Sequence, residues 1–296
     1  MSFTIITDTA SNLESKFTDE LNIEVVRMHY CIEDKDYLVY NDWSNYNVDD
    51  FYDYIRKGNR VFTSQVDFEQ YKDLYVKSLK EGKDVLVLAC GSAFSATIDV
   101  ARHAKEEALK EYPNGRIEVI DADGACYSFG MWVMECAKMR NEGKSFDEVF
   151  TWANENKRSF LEIGYCDELK YLKRAGRINA AAAFFGTLVG IKPIIIYDET
   201  GHNTAFEKTA GKKQANQRCA DYIKKYGRFD YFKTIYVAHS NSLELANQVV
   251  ETLKQTLNDD SITYHIQEIT AVIGASVGPG TIIIDFYGDS SMRKLV

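Results

Sequence analysis

The chain has few of the residues that usually announce a chemistry. Among 296 residues there are three prolines and five histidines. The histidines (His29, His103, His202, His239 and His265) are scattered, with no i, i+4 pair for zinc. The six cysteines (Cys31, Cys90, Cys126, Cys136, Cys166 and Cys219) contain no C-x-x-C pair and no metal spacing. Buried thiols in a reducing compartment are the expectation, with no metal site and no cofactor. There is no G-x-x-x-x-G-K-[ST], and no G-x-G-x-x-G follows the first strand, so neither motif of a nucleotide cradle is present. Long apolar runs are also missing. The longest nearly apolar stretch, Ala180 to Ile191, falls short of the roughly 20 residues a bilayer span needs. Met1-Ser2-Phe3-Thr4 leads straight into a strand without a basic or apolar signal segment, so a cytoplasmic location is expected. An excess of basic charge is lacking too: 35 basic against 44 acidic residues leave a net charge of −9. That argues against a nucleic-acid surface and allows at most transient contact with a membrane surface.

What remains fits a globular α/β protein. At 45% apolar and 27% charged residues, the chain can bury one large core or two smaller ones. Phe3-Thr4-Ile5-Ile6 reads as a strand, and Asp8 to Asn12 as a polar turn. Ser11 and Glu14 have capping-box spacing for a short helix. Glu24 to Ile32 reads as one further strand, and Asp34 to Asp50 as a polar, tyrosine-rich connection. Asp67 with Gln70 opens a helix that Gly82 ends. Strands near 85–90 and 116–121 bracket a helix from Thr97 to Tyr112, which predicts a parallel sheet covered on both faces. A long helical stretch follows; Gly143 ends its first part, and Ser145 with Glu148 caps its second. Beyond it, strands near 161–165, 193–197, 234–239, 262–269 and 281–287 are interrupted by helices near 167–174, 178–190, 212–226 and 242–257. The expectation is two domains, 1–158 with a parallel Rossmann-like sheet and 159–296 with a mixed α/β sheet.

Two hydroxyl-rich segments carry the functional signal, Thr63-Ser64-Gln65 and Gly91-Ser92-Ala93-Phe94-Ser95-Ala96-Thr97. If both end parallel strands, their hydroxyls and free amide N–H groups converge where open α/β sheets bind ligands, beside a helix N-terminus that favours an anion. The same residues also suit plain helix caps and turns. Gly274-Ala275-Ser276-Val277-Gly278 matches G-x-S-x-G, but a strand follows it and no histidine lies after His265. It reads as a glycine-rich turn into a buried strand rather than a hydrolase elbow. A serine esterase using Ser276 or Ser92 is the alternative reading. His239, at the end of Ile235-Tyr236-Val237-Ala238, suits a satisfied buried histidine better than a cleft residue. Ala180-Ala181-Ala182-Ala183-Phe184-Phe185 fits either close helix packing or room for a slender apolar ligand.

Several segments together resemble the DegV-like proteins, the fatty-acid-binding subunits of bacterial fatty-acid kinase. They are Ile5-Ile6-Thr7-Asp8-Thr9-Ala10-Ser11-Asn12-Leu13, Thr63-Ser64-Gln65, Ser92-Ala93-Phe94-Ser95-Ala96-Thr97, Tyr171-Leu172-Lys173-Arg174-Ala175-Gly176-Arg177-Ile178, Leu188-Val189-Gly190-Ile191-Lys192-Pro193, Val272-Ile273-Gly274 and Gly278-Pro279-Gly280. The resemblance implies a non-catalytic carrier whose two domains hold a long-chain fatty acid between them. A separate kinase subunit would then phosphorylate the acid's carboxylate. By position it makes Thr63 and Ser92 the carboxylate ligands, with Ser64, Ser95 and Ser276 as neighbouring donors and Arg177 at a kinase contact or the ligand mouth. The chain departs from the family pattern at Ser276-Val277, where His-Thr is usual. It departs again at Ala210, often an arginine tied to kinase engagement, and mildly at Ala96, more often glycine.

Overall fold

The computed structural model describes residues 3–179 and 190–296. The helix read near 178–190, the Ala180–Phe185 stretch and Leu188-Val189 lie outside the described residues, apart from Ile178, Asn179 and Gly190. Two compact units divide the chain. The first comprises Met1–Asn45, Val61–Lys157 and Thr270–Val272; the second comprises Tyr46–Arg60, Arg158–Ile269 and Ile273–Val296.

In the first unit, β1 (Thr4–Asp8), β2 (Glu24–Val26), β6 (Val85–Ala89) and β7 (Ile117–Asp121) form a parallel sheet in the order β2-β1-β6-β7. β6 reads Val-Leu-Val-Leu-Ala and is buried throughout, as a central parallel strand covered on both faces must be. The helices of this unit are α1 (Ser15–Glu20), α3 (Phe68–Lys80), α4 (Thr97–Glu111), α5 (Cys126–Asn141) and α6 (Phe146–Asn156). Ser145 and Glu148 do form the expected capping box at the start of α6. The box expected from Ser11 and Glu14 is absent. Asp8 takes the Ala10 N–H, residues Thr9–Ser11 turn as a 3-10 helix, Asn12 ends it at φ 58°, and α1 begins only after Glu14.

The single strand read over Glu24–Ile32 is two. It breaks at Arg27-Met28, and its second half is β3 (His29–Ile32), which pairs with β4 (Lys35–Leu38) and β5 (Phe62–Ser64) in a separate antiparallel sheet. Thr63-Ser64 therefore sits inside an edge strand of an antiparallel sheet, not at the end of a parallel one. Long-range pairing with β3 decides that, since three residues carry no sheet preference of their own.

The second unit is built on a six-stranded mixed sheet. Its strands are β8 (Phe160–Tyr165), β9 (Ile191–Tyr197), β10 (Asn203–Ala210), β11 (Thr234–His239), β12 (Thr263–Glu268) and β13 (Ile282–Tyr287), in the order β10-β9-β8-β13-β11-β12. Only β11 and β12 run parallel; the other neighbours are antiparallel. Leu161, Ile163 and Tyr165 pack with Ala215, Cys219 and Ile223 of α8 (Gly211–Tyr226) and Val249 and Leu253 of α9 (Leu243–Leu257). This parallel-sheet unit followed by a mixed-sheet α/β unit is the expected fold class.

Two helices went unread in the sequence. α2 (Val48–Arg56) lies in the tyrosine-rich connection, capped by Asn47, whose side chain accepts the Asp50 N–H, and it buries Phe51, Tyr52 and Ile55. α10 (Ala271–Val277) replaces the glycine-rich turn read there; only Gly278-Pro279-Gly280 turns, into β13. α7 spans Lys170–Ala175. No helix among the described residues is long and apolar enough to cross a membrane.

Candidate functional site

The two hydroxyl-rich segments meet. Val66 N–H donates to Thr97 Oγ1 at 3.4 Å, tying the residues after β5 to the first turn of α4. Thr97 Oγ1 also lies 2.9 Å from Ser95 Oγ, which accepts the Thr97 N–H at 3.2 Å. Ser95 thus closes the turn into α4, the capping role its sequence allows. Ser92 and Thr63 are exposed. Thr63 is paired with Tyr30 and shares its face of the small sheet; Ser64 is paired with His29 and points to the other face.

Five of the amide N–H groups in this turn are taken. Cys90 N–H donates to Asp8 at 2.7 Å, Gly91 N–H to Gly124 O at 2.9 Å, and Ser92 N–H to the Asp121 carboxylate at 3.2 Å. Phe94 and Ser95 N–H both donate to Gly91 O. The turn is also packed tightly: a Cβ on Gly91 would stand 2.7 Å from Gly124 N. Lys157 Nζ donates to the backbone Asp121 O at 2.8 Å and pairs with the Asp123 carboxylate at 3.1 Å.

Asp8 is a strongly perturbed carboxyl of this unit. It is fully buried, and burial pushes its carboxyl up to about 7 against the opposing pull of the Cys90 and Ala10 N–H groups. His29 bridges Asp36 (2.6 Å) and Asp67 (2.9 Å). Burial opposes its charge, but the two carboxylates outweigh it and raise its pKa.

In the second unit, Ser276 is half-buried near the end of α10. The order there is helix, turn, strand, which is not the strand–turn–helix of a nucleophile elbow. The turn is shaped by two close approaches: a Cβ on Gly278 would stand 2.2 Å from the Tyr171 ring, and one on Gly280 2.2 Å from the Asp167 carboxylate. Arg177 is half-buried and its guanidinium folds back onto Ala175 O. Ala210 ends β10, and its N–H donates to Gln214 Oε1. His239 is buried, with Nδ1 3.0 Å from Glu268 Oε2, as its satisfied reading required.

The family model of the DegV proteins matches residues 2–288. The chain belongs to the DegV family. Over 288 residues it is 32% identical to a DegV domain-containing protein of Clostridium perfringens, covering 97% of this chain and 98% of that one. A Thermus thermophilus DegV family protein, whose structure is described by its fatty acid binding, superposes with a TM-score of 0.84 at 26% identity. That match covers 98% of this chain and 100% of the other. DegV of Bacillus subtilis, described as a fatty acid binding protein, has the same fold, with a TM-score of 0.81 at 23% identity over 98% of this chain and 100% of its own.

Two features of this DegV protein were missed in the sequence. Asp8 was read as part of a polar turn, although a carboxylate ending a buried strand before Thr-Ala-Ser-Asn signals a side chain bound to backbone. The second is a buried carboxyl pair on the sheet of the second unit. Glu162 and Asp285 stand directly opposite on β8 and β13 and share a hydrogen bond. Burial raises the Glu162 carboxyl well above the usual range, against the Tyr197 hydrogen bond and the Arg293 charge. No motif marks the pair, because its members are 123 positions apart and meet only through strand order.

Proposed function

We propose that this DegV protein is a carrier that binds a long-chain fatty acid and presents its carboxylate to a separate, ATP-using kinase subunit. The carboxylate sits on the Thr63 and Ser92 hydroxyls, with Ser95 as a neighbouring donor and Arg177 as a partner contact. The observation that carries the reading is the Val66–Thr97 hydrogen bond, which draws the Thr63 and Ser92 segments to one place. The fatty acid binding for which the Thermus thermophilus relative is described supports the ligand class.

The energetics suit a carrier. Burying about 14 methylenes at about 0.8 kcal/mol each contributes about 11 kcal/mol before association and ordering are subtracted. Each hydrogen bond to the ionised carboxylate adds about 1.5–3 kcal/mol and fixes which end is presented. The aliphatic chain supplies affinity, and the hydroxyls supply direction. The acting protein works in the cytoplasm, where free acids and the kinase meet.

Mass spectrometry of denatured, purified protein tests this. Stoichiometric long-chain fatty acid is expected; protein that carries none and binds none on addition overturns the reading. A serine-directed fluorophosphonate is expected to leave Ser92 and Ser276 unlabelled.

A further inference from the structure

The mixed sheet carries a polar row on the face turned away from α8 and α9. Residues 161, 163 and 165 of β8 face those helices, so Glu162 and Gly164 face the other way. Asn203 is paired with Tyr197, the Tyr197 O–H donates to Glu162 Oε2 at 2.5 Å, and Glu162 is paired with Asp285. Four adjacent strands, β10, β9, β8 and β13, thereby each contribute one polar side chain to a single line. Beside this line lies a cavity of about 20 Å³, enough for one hydroxyl-sized group. Leu172, Ile195, Val277 and Ile283 give it apolar walls; Glu162, Asn203, Thr281, Tyr165 and Cys166 are its polar lining residues. The Thr281 hydroxyl donates to Val277 O at 3.0 Å and the Tyr165 hydroxyl to Asn216 Oδ1 at 2.5 Å.

Asn203 decides what this cavity can recognise. Its Nδ2 donates to Arg177 O at 3.1 Å, which fixes the amide and turns Oδ1 the other way. Asn203 Oδ1 is buried and accepts no hydrogen bond in the structure. A buried acceptor without a donor is unfavourable, and the hydroxyls of this wall already donate to other acceptors. Unsubstituted aliphatic chain passing this point would leave it unsatisfied. A hydroxyl on the chain would supply the donor.

We propose that the cavity bounded by Asn203 and Glu162 is a hydroxyl-recognition site, and that this protein selects hydroxylated long-chain fatty acids over unsubstituted ones. The hydroxyl donates to Asn203 Oδ1 while its carbon lies against Leu172, Ile195 and Ile283. The proposal rests on the fatty-acid reading, but not on which residues hold the carboxylate.

Competition binding tests it on the full chain, after delipidation, with octadecanoic acid and hydroxyoctadecanoic acids substituted near the head, at mid-chain and at the terminus. At least one hydroxylated acid is expected to bind about tenfold more tightly than the parent, the size of one good hydrogen bond. In Asn203→Leu that ratio is expected to fall to near one; Asn203→Ala, which removes the acceptor with less bulk, serves if the leucine variant does not fold. Parent acid that binds as well as every hydroxylated acid overturns the proposal and points to an ordered water in the cavity. A preference that survives both variants also overturns it. If no acid of the set binds, the fatty-acid reading itself fails, and this proposal with it.

Discussion

Asp8 Oδ2 accepts the Cys90 N–H at 2.7 Å, so the carboxylate ending β1 holds the turn that presents Ser92 two residues later. The same carboxyl takes the Ala10 N–H at 2.9 Å through its other oxygen. A fully buried acid thus shapes two loops at the carboxyl edge of the parallel sheet, where open α/β folds place their ligands.

That arrangement makes stability pH-dependent with a definite sign. The folded pKa of Asp8, about 7, exceeds its ordinary 3.8, so the native state holds the proton more tightly than the unfolded chain. Its contribution favours folding at acid pH and is lost as pH rises through that window, by up to about 4 kcal/mol. Asp8→Asn should therefore flatten the slope of unfolding free energy between about pH 4 and 7 relative to wild type. Denaturant titrations across that range measure it, and parallel slopes would remove Asp8 as the cause.

Thr63→Ala combined with Ser92→Ala should weaken long-chain fatty-acid binding by at least about a hundredfold, since two hydrogen bonds to a carboxylate are lost. Both side chains are exposed, so the melting temperature of delipidated protein should move by no more than a few degrees. Calorimetric titration reads the first quantity and thermal unfolding the second. Unchanged affinity would withdraw both residues from the carboxylate.

Gly91→Ala should be harmful although alanine is small. Its Cβ would stand 2.7 Å from the backbone nitrogen of Gly124, which has no rotamer to yield. Overpacking of this kind costs about 1–3 kcal/mol, and displacement of the turn should weaken fatty-acid binding as well. A fully stable variant with wild-type affinity would show that the turn has slack.

Ser145→Ala separates stability from binding. It removes the capping box of α6, worth about 1 kcal/mol, in an exposed turn. A lower unfolding free energy with unaltered fatty-acid affinity is expected. A change in affinity would mean that α6 is coupled to the binding site.

The legible parts of the fold were those with local causes. β6 shows its place in a run of five apolar residues, and α6 in the Ser145–Glu148 spacing. α2 had a readable cap in Asn47 and a buried stripe at Phe51, Tyr52 and Ile55, but its polar, tyrosine-rich surroundings hid both. The break at Arg27-Met28 was not readable, because both halves have strand composition and only their partners differ.

Composition, apolar periodicity and ordered motifs by themselves determined the α/β class, the parallel first sheet and the family. These are properties of short segments, and short segments carry their own preferences. The tertiary structure alone decided that Thr63 lies on an antiparallel edge, that the amides of Cys90, Gly91 and Ser92 are already engaged, and that Glu162 meets Asp285. Each depends on pairing between residues far apart in the chain, and which distant strand or carboxylate claims a group follows from packing of the whole rather than from any local run.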